Sequence, residues 1–330
     1  MSVILSNFLN KRHSTRNLSD EMFLSVVGEL ARQLEQTSFY PTYTNEKLKK
    51  DWKELCSWTT NEEHINSTSR VGMKLCEHFF PNFYNIENNK GQSFANMWTA
   101  KNLEKILIWN RKSHSTPYLS ELKRGIYFCC GLTKSTMYRP QMARLLCLNY
   151  KPSIVLDPCA GWGGRMLGVV STGANYIAFE PNTETFTQLN KLAEFLGIQD
   201  KVRLICDDAL NMDNYDIPIV DMVLTSPPYF DVEIYTKQDT QSITNTPTYE
   251  SWVQNFLDPL IEKCNNHLNG VSCWNVGKVG RKNMLDDVII AHNKLGKKFE
   301  KSFSVVSSKR QALQNETKNE KSMDTTDVFK

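Results

Sequence analysis

The chain has 330 residues, of which 40% are hydrophobic and 11% aromatic, a composition that buries a large core in one large or two modest domains and marks a folded globular protein. Its formal charge of +3 is mildly basic, which permits a polyanionic partner without requiring one. No apolar run approaches the roughly 20 residues that cross a bilayer, and the apolar stretch within MSVILSNFLNKRHS is too short for a secretory signal, so an intracellular protein away from membranes is expected.

Up to about residue 150 the apolar residues recur at helical intervals: Met22, Val26, Val27, Leu30 and Leu34, then Leu103, Ile106 and Leu107, then Met142, Leu145 and Leu146. Trp52, Trp58, Trp98 and Trp109 fall in this part and are read as helix-packing anchors rather than base-stacking platforms. Cys76 and His78 lie close together, yet no two further ligands stand at usable spacing, and no metal site is expected. The nine cysteines are scattered without a C-x-x-C pair, so neither a disulfide framework nor a zinc ribbon is indicated, and free thiols in a reducing compartment fit best.

From residue 150 onward short apolar strands alternate with amphipathic helices. Ser153–Asp157, Tyr176–Glu180, Val202–Cys206, Val220–Leu224 and Val271–Val276 read as strands, with helical spacing at Phe186–Leu196 and Trp252–Cys264. This alternation predicts an α/β protein with a doubly wound parallel sheet, preceded by a mainly helical region over 1–133, and a second domain over 134–330. Ligands of such sheets sit beyond the carboxyl ends of the strands. The last stretch, Ser307–Lys330, is polar and lysine-rich and reads as a mobile loop or tail.

Each strand end carries a motif. The first runs Asp157-Pro158-Cys159-Ala160-Gly161-Trp162-Gly163-Gly164, a glycine-rich turn whose backbone can approach a ligand at the start of a helix. It lacks the full G-x-G-x-x-G of dinucleotide-binding folds, and Asp157 ahead of it argues for a cofactor bearing positive charge. Glu180 ends the second strand, where a carboxylate accepts both hydroxyl hydrogens of a ribose. Asp207 and Asp208 end the third: one can accept from an adenine amino group, and one is expected to cap the next helix.

The fourth strand ends in Thr225-Ser226-Pro227-Pro228-Tyr229-Phe230. The two prolines stop the strand and hold the Ser226 side chain and the Pro227 carbonyl in fixed directions as two acceptors. An exocyclic amine on a nucleobase is a poor nucleophile because its lone pair is delocalised into the ring, and accepting both of its hydrogens frees that lone pair. Tyr229 is placed to stack on an extruded base.

These residues resemble the amino-methyltransferases, the family of DNA N6-adenine and N4-cytosine methyltransferases. Asp157, Pro158, Gly161 and Gly163 match the family's D-P-F-x-G-x-G cofactor motif, with Cys159 standing where phenylalanine is usual. Ser226-Pro227-Pro228-Tyr229 matches its catalytic D/N/S-P-P-Y/F/W motif without departure. The resemblance covers roughly 134–280 and implies a Rossmann-like class I methyltransferase sheet with S-adenosylmethionine as cofactor. It further implies cofactor contacts at Tyr138, Asp157, Pro158, Cys159, Gly161, Gly163, Glu180 and Asp208, and catalysis at Ser226, Pro227, Pro228 and Tyr229. DNA is the implied partner, with cytosine N4 or adenine N6 as target. RNA or a protein amide is the alternative substrate, and a non-catalytic nucleic-acid-binding protein is the alternative class. Some 60 residues separate the two motifs, too few for a recognition domain. Recognition is therefore expected from the helical region, from Asp231–Thr248, or from Lys278, Arg281, Lys282, Lys309 and Arg310, which equally suit a solvated basic surface.

Overall fold

The computed structural model describes residues 7–132, 135–230, 234, 235, 242, 243, 246–306 and 322–330. In chain order the principal helices are α1 (Asp20–Glu35), α2 (Asn45–Ser57), α3 (Met73–Phe79), α4 (Ala100–Lys112), α5 (Leu119–Cys130), α6 (Pro140–Tyr150), α7 (Gly164–Val170), α8 (Thr183–Leu196), α9 (Asp258–Asn266) and α10 (Met284–Lys294). The strands are β1 (His64–Asn66), β2 (Ile154–Asp157), β3 (Asn175–Phe179), β4 (Val202–Ile205), β5 (Val220–Thr225), β6 (Leu268–Asn275), β7 (Lys278–Val279), β8 (Lys282–Asn283), β9 (Phe299–Val306) and β10 (Ser322–Phe329). The chain forms two compact units, Met1–Pro41 with Phe83–Thr136 and Thr42–Asn82 with Met137–Lys330, so the helical stretch before residue 133 is shared between them.

The first unit is built on α1, α4 and α5. Ser19 caps α1 by accepting the Met22 N–H at 3.1 Å, and two acids follow in its first turn, where they suit the positive end of the helix dipole. The helix buries Phe23, Val26, Val27, Leu30, Ala31 and Leu34, while Met22 lies on the outer face at 49% exposure. Phe39, Tyr84, Phe94 and Trp98 gather ring against ring in this core. The Trp98 indole donates to the Leu34 carbonyl at 3.2 Å, which accounts for its one polar group.

The second unit holds an eight-stranded sheet in the order β1-β9-β10-β6-β5-β2-β3-β4. The pairs β2–β3, β2–β5, β3–β4 and β5–β6 are parallel, and β10 runs antiparallel to both β6 and β9. The strand order reverses at β2, with β3 on one side and β5 on the other, so a crevice opens past the carboxyl ends of β2 and β5. One continuous core packs Leu156, Ile177, Phe179 and Val223 of the sheet against Trp252, Phe256, Leu260 and Ile261.

The tail expected over Ser307–Lys330 is corrected in its last part. Residues 322–329 are the strand β10, inserted between β6 and β9 with Asp327 opposite Trp274 and Val328 opposite Cys273. Thr326, Asp327, Val328 and Phe329 are all buried. The partners of this strand lie 51 to 57 residues back on β6 and 16 to 30 residues back on β9; residues 307–321, with Lys309 and Arg310, lie outside the described residues. Among the described residues no helix is long and apolar enough to cross a membrane, and no group of three or more His, Cys, Asp or Glu could hold a metal ion.

Candidate active site

The turn after β2 is built around Asp157. Its fully buried carboxylate accepts from Arg165 Nε at 2.6 Å, the Tyr176 hydroxyl at 2.6 Å, the Thr225 hydroxyl at 2.9 Å and the Cys159 N–H at 3.1 Å. Arg165, itself buried at the start of α7, also donates to the Cys159 carbonyl and lies over the Tyr138 ring at 5.2 Å. The negative charge of Asp157 is thus answered inside the protein, and the expected argument from this acid to a cationic cofactor gives way to a buried ion pair. What Asp157 does is tie β2, β3, β5 and α7 together beneath the turn.

Gly161 and Gly163 carry φ of +59° and +73°, in the left-handed region where side chains are strained. A Cβ on Gly163 would stand 2.9 Å from the Phe80 ring and 3.1 Å from Leu192, so the turn is also pressed between neighbours. Trp162, between these glycines, is half-buried with its ring 6.3 Å from Phe80 and 6.0 Å from Tyr235. Pro158 is buried, and Cys159 packs against the sheet core. Burial, then the Asp157 carboxylate, push the Cys159 thiol pKa well up, which makes it a packing residue and not a nucleophile. Tyr138 is buried with its hydroxyl 3.0 Å from Thr326 Oγ1 on β10.

Glu180 follows β3 at 8% exposure. One carboxylate oxygen accepts the Gly161 N–H at 2.9 Å and the other accepts the Asn182 N–H at 3.0 Å. A carboxylate has about four acceptor sites, so each oxygen keeps capacity for one hydroxyl of a ribose diol. Burial is the largest influence on this acid, and although the two backbone bonds oppose it, the pKa is pushed up to about 7. Asp208 follows β4, is half-buried, and spends one oxygen capping the next turn by accepting the Leu210 N–H at 2.9 Å. Asp207 accepts from its neighbour's N–H, from Asn211 and from the Tyr215 hydroxyl. Both acids therefore support local backbone. The glycine turn, a diol acceptor and a further carboxylate at three successive strand ends fit an adenosyl group.

Beside them, the Ser226–Phe230 turn leaves β5. Pro227 is buried; Ser226, Pro228 and Tyr229 are half-buried. The Ser226 hydroxyl donates to Asn275 Oδ1 at 3.1 Å, and the Tyr229 hydroxyl donates to the same oxygen at 3.1 Å. The Tyr229 ring lies against Gly277. Phe230 adopts φ of +45°, uncommon for an aromatic residue, with its ring edge-on to Tyr249 and Trp252 at 5.9 and 6.1 Å. Lys278, Arg281 and Lys282 are exposed on or beside the β7–β8 ribbon that follows β6, and Lys282 is paired with Glu250 at 2.6 Å.

Two residues of this site, Arg165 and Asn275, went unmarked in the sequence, and Trp162 stood in the glycine-rich motif without a role. Arg165 left a signal, a charged residue opening the apolar run Met166–Val170. Asn275 left none, because it reaches the Ser226–Tyr229 turn only through the parallel pairing of β5 with β6.

The sheet defines the fold class: a Rossmann-like, class I methyltransferase fold, for which S-adenosylmethionine is the expected cofactor. Residues 152–266, which span β2 through α9 and include both the glycine turn and the Ser226–Tyr229 turn, match the family model of the RNA cap guanine-N2 methyltransferases. No curated protein matches the chain in sequence. Among solved structures the chain is similar to TrmN from Thermus thermophilus, at 16% identity and TM-score 0.38 over 58% of this chain and 48% of that one. It is likewise similar to a putative rRNA-methylase from Clostridium thermocellum, at 14% identity and TM-score 0.38 over 59% of this chain and 98% of that one. The match to a SAM-dependent O-methyltransferase from Thermotoga maritima has 11% identity and TM-score 0.39 over 65% and 71%. The chain spans about half the length of the Thermus thermophilus protein.

Proposed function

We propose that this protein methylates an exocyclic amino group of a nucleobase in RNA. The observation that carries the proposal is the Ser226–Tyr229 turn, beside the glycine turn at the point where the strand order reverses, within a segment that matches an RNA cap guanine-N2 methyltransferase model. DNA, the partner suggested by the resemblance of Ser226-Pro227-Pro228-Tyr229 to the DNA amino-methyltransferases, stands as the second reading.

Glu180 would hold the ribose, the glycine turn from Gly161 to Gly163 the backbone-facing side of the cofactor, and Asp208 the adenine amine. When bound, S-adenosylmethionine supplies a methyl group on a sulfonium. The chain's own part is to bring an amine to it in reactive form. The Ser226 oxygen and the Pro227 carbonyl accept the two amine hydrogens, drawing the nitrogen toward tetrahedral geometry so that its lone pair is available. Tyr229 and Phe230 line the approach with aromatic surface for the base.

The test is parallel transfer of labelled methyl from S-adenosylmethionine to capped RNA, uncapped RNA and DNA, followed by mass spectrometry of the digested nucleosides. Label on an exocyclic nitrogen of RNA is the expected outcome. The same label confined to DNA would replace RNA by the second reading, and label on carbon 5 of a pyrimidine or on protein would sink both.

A further inference from the structure

We infer that Asn275 sets the hydrogen-bond polarity of the catalytic turn, and thereby its preference for an amino group over an oxo group at the target position. The inference rests on the reading of that turn as the amine site.

Asn275 ends β6 and is buried at 5% exposure. Its amide orientation is decided by β10: Nδ2 lies 2.5 Å from the Thr325 carbonyl, which can only accept, so the nitrogen faces β10 and Oδ1 faces the turn. Oδ1 then accepts the hydrogen of Ser226 at 3.1 Å, while the Tyr229 hydroxyl lies within reach of both Oδ1 at 3.1 Å and the Asn275 carbonyl at 3.3 Å. A hydroxyl has one hydrogen and two lone pairs. With its hydrogen committed to Asn275, the Ser226 hydroxyl offers oxygen lone pairs to a group arriving from the crevice, which must itself donate. An exocyclic amine does so. A ring carbonyl at the same place brings only lone pairs and leaves polar groups unsatisfied, which a partly dehydrated site penalises.

Asn275 is accordingly a positioning residue, acting through Ser226. Its own anchor on β10 gives the inserted antiparallel strand a part in the site. Without the Thr325 carbonyl the amide could rotate by half a turn and present Nδ2, a donor, to Ser226; that hydroxyl would then turn its hydrogen toward the crevice and its polarity would invert.

The experiment measures single-turnover methyl transfer from tritiated S-adenosylmethionine to whichever of capped RNA, uncapped RNA or DNA oligonucleotide the wild-type protein labels. The variants are Asn275→Ala, Asn275→Ser, the pair Ser226→Ala with Tyr229→Phe, and the pair combined with each Asn275 change. Loss of the polarity should lower the rate on the order of 100-fold while leaving the affinity for S-adenosylmethionine unchanged by calorimetry. In the background lacking both hydroxyls the Asn275 changes should cost less than about threefold, because the groups they act through are gone. An oligonucleotide carrying an oxo group in place of the target amine should compete better against the variants than against the wild type. Asn275→Ser serves if Asn275→Ala does not fold. Equal rate losses in both backgrounds, or unchanged discrimination between amine and oxo group, would overturn the inference with the amine reading intact. A wild type that labels none of the three nucleic acids overturns the amine reading and this inference with it.

Discussion

The ribose role proposed for Glu180 links pH to both stability and cofactor affinity, in opposite directions. Its carboxylate is buried between two backbone N–H donors, and its pKa is pushed up from 4.5 to about 7. The folded protein therefore holds a proton on Glu180 that the unfolded chain has released, between about pH 4.5 and pH 7. For the free protein this contribution makes stability fall as pH rises through that window and level off above it, by about 3 kcal/mol in all at 1.36 kcal/mol per unit. Binding runs the other way, because only the ionised form offers acceptors to both ribose hydroxyls. With the pKa at about 7, the ionised fraction falls about tenfold between pH 8 and pH 6, so the affinity for S-adenosylmethionine should fall about tenfold as well. Calorimetry at pH 6 in buffers of different ionisation enthalpy should show close to one proton released per cofactor bound. Glu180→Gln should bind more weakly at pH 8 and lose the pH dependence altogether. An affinity that is flat from pH 6 to pH 8 in the wild type, with no proton release, would refute the assignment of Glu180 to the ribose.

A Cβ added at Gly168 would stand 2.2 Å from the Pro140 carbonyl and 2.5 Å from the Ala143 Cβ, and at Gly164 2.0 Å from the Tyr138 carbonyl. Gly168→Ala should therefore push α6 and α7 apart and cost roughly 1–3 kcal/mol of overpacking, more than the helix propensity it gains, and a melting temperature equal to the wild type would count against this. Asp157→Ala leaves Arg165 buried without its counter-ion and should destabilise by about 3–5 kcal/mol in denaturant titration; a loss confined to cofactor binding would contradict the internal role. Ser226→Ala should lower methyl transfer on the order of 100-fold with cofactor affinity unchanged, measured as single-turnover rate and calorimetric affinity; a parallel loss of both would place the hydroxyl in the cofactor site. Tyr229→Ala should in addition weaken retention of the target base by about 1–3 kcal/mol, which a fluorescent base analogue reports.

The local order of elements was legible in the sequence because it is encoded locally. Apolar runs with β-branched residues at Ile154–Leu156, Tyr176–Phe179 and Val220–Leu224 form the central strands, and the glycines and prolines that follow them end those strands where the ligand crevice opens. The positions of Glu180, the Gly161–Gly163 turn and Ser226–Tyr229 at neighbouring strand ends follow from that order and from the handedness of strand–helix–strand connections. S-adenosylmethionine as cofactor came from the sequence as well, implied by the resemblance of two motifs to the amino-methyltransferases. The sequence could not show which charges remain free. Asp157 looked like a ligand for a cation until Arg165, eight residues on, was found folded back upon it, and Lys282 is answered by Glu250 across 32 residues. Nor could it show β10, whose polar approach hides a strand stabilised by partners on β6 and β9, or β1, three residues that pair with β9 far along the chain. Asn275 belongs to the same group: a single asparagine has no periodicity, and its meeting with Ser226, Tyr229 and Thr325 is made only when β5, β6 and β10 lie side by side. Contacts between residues 46 to 50 positions apart depend on strand register, which is set by the burial of whole strands and not by the residues in contact.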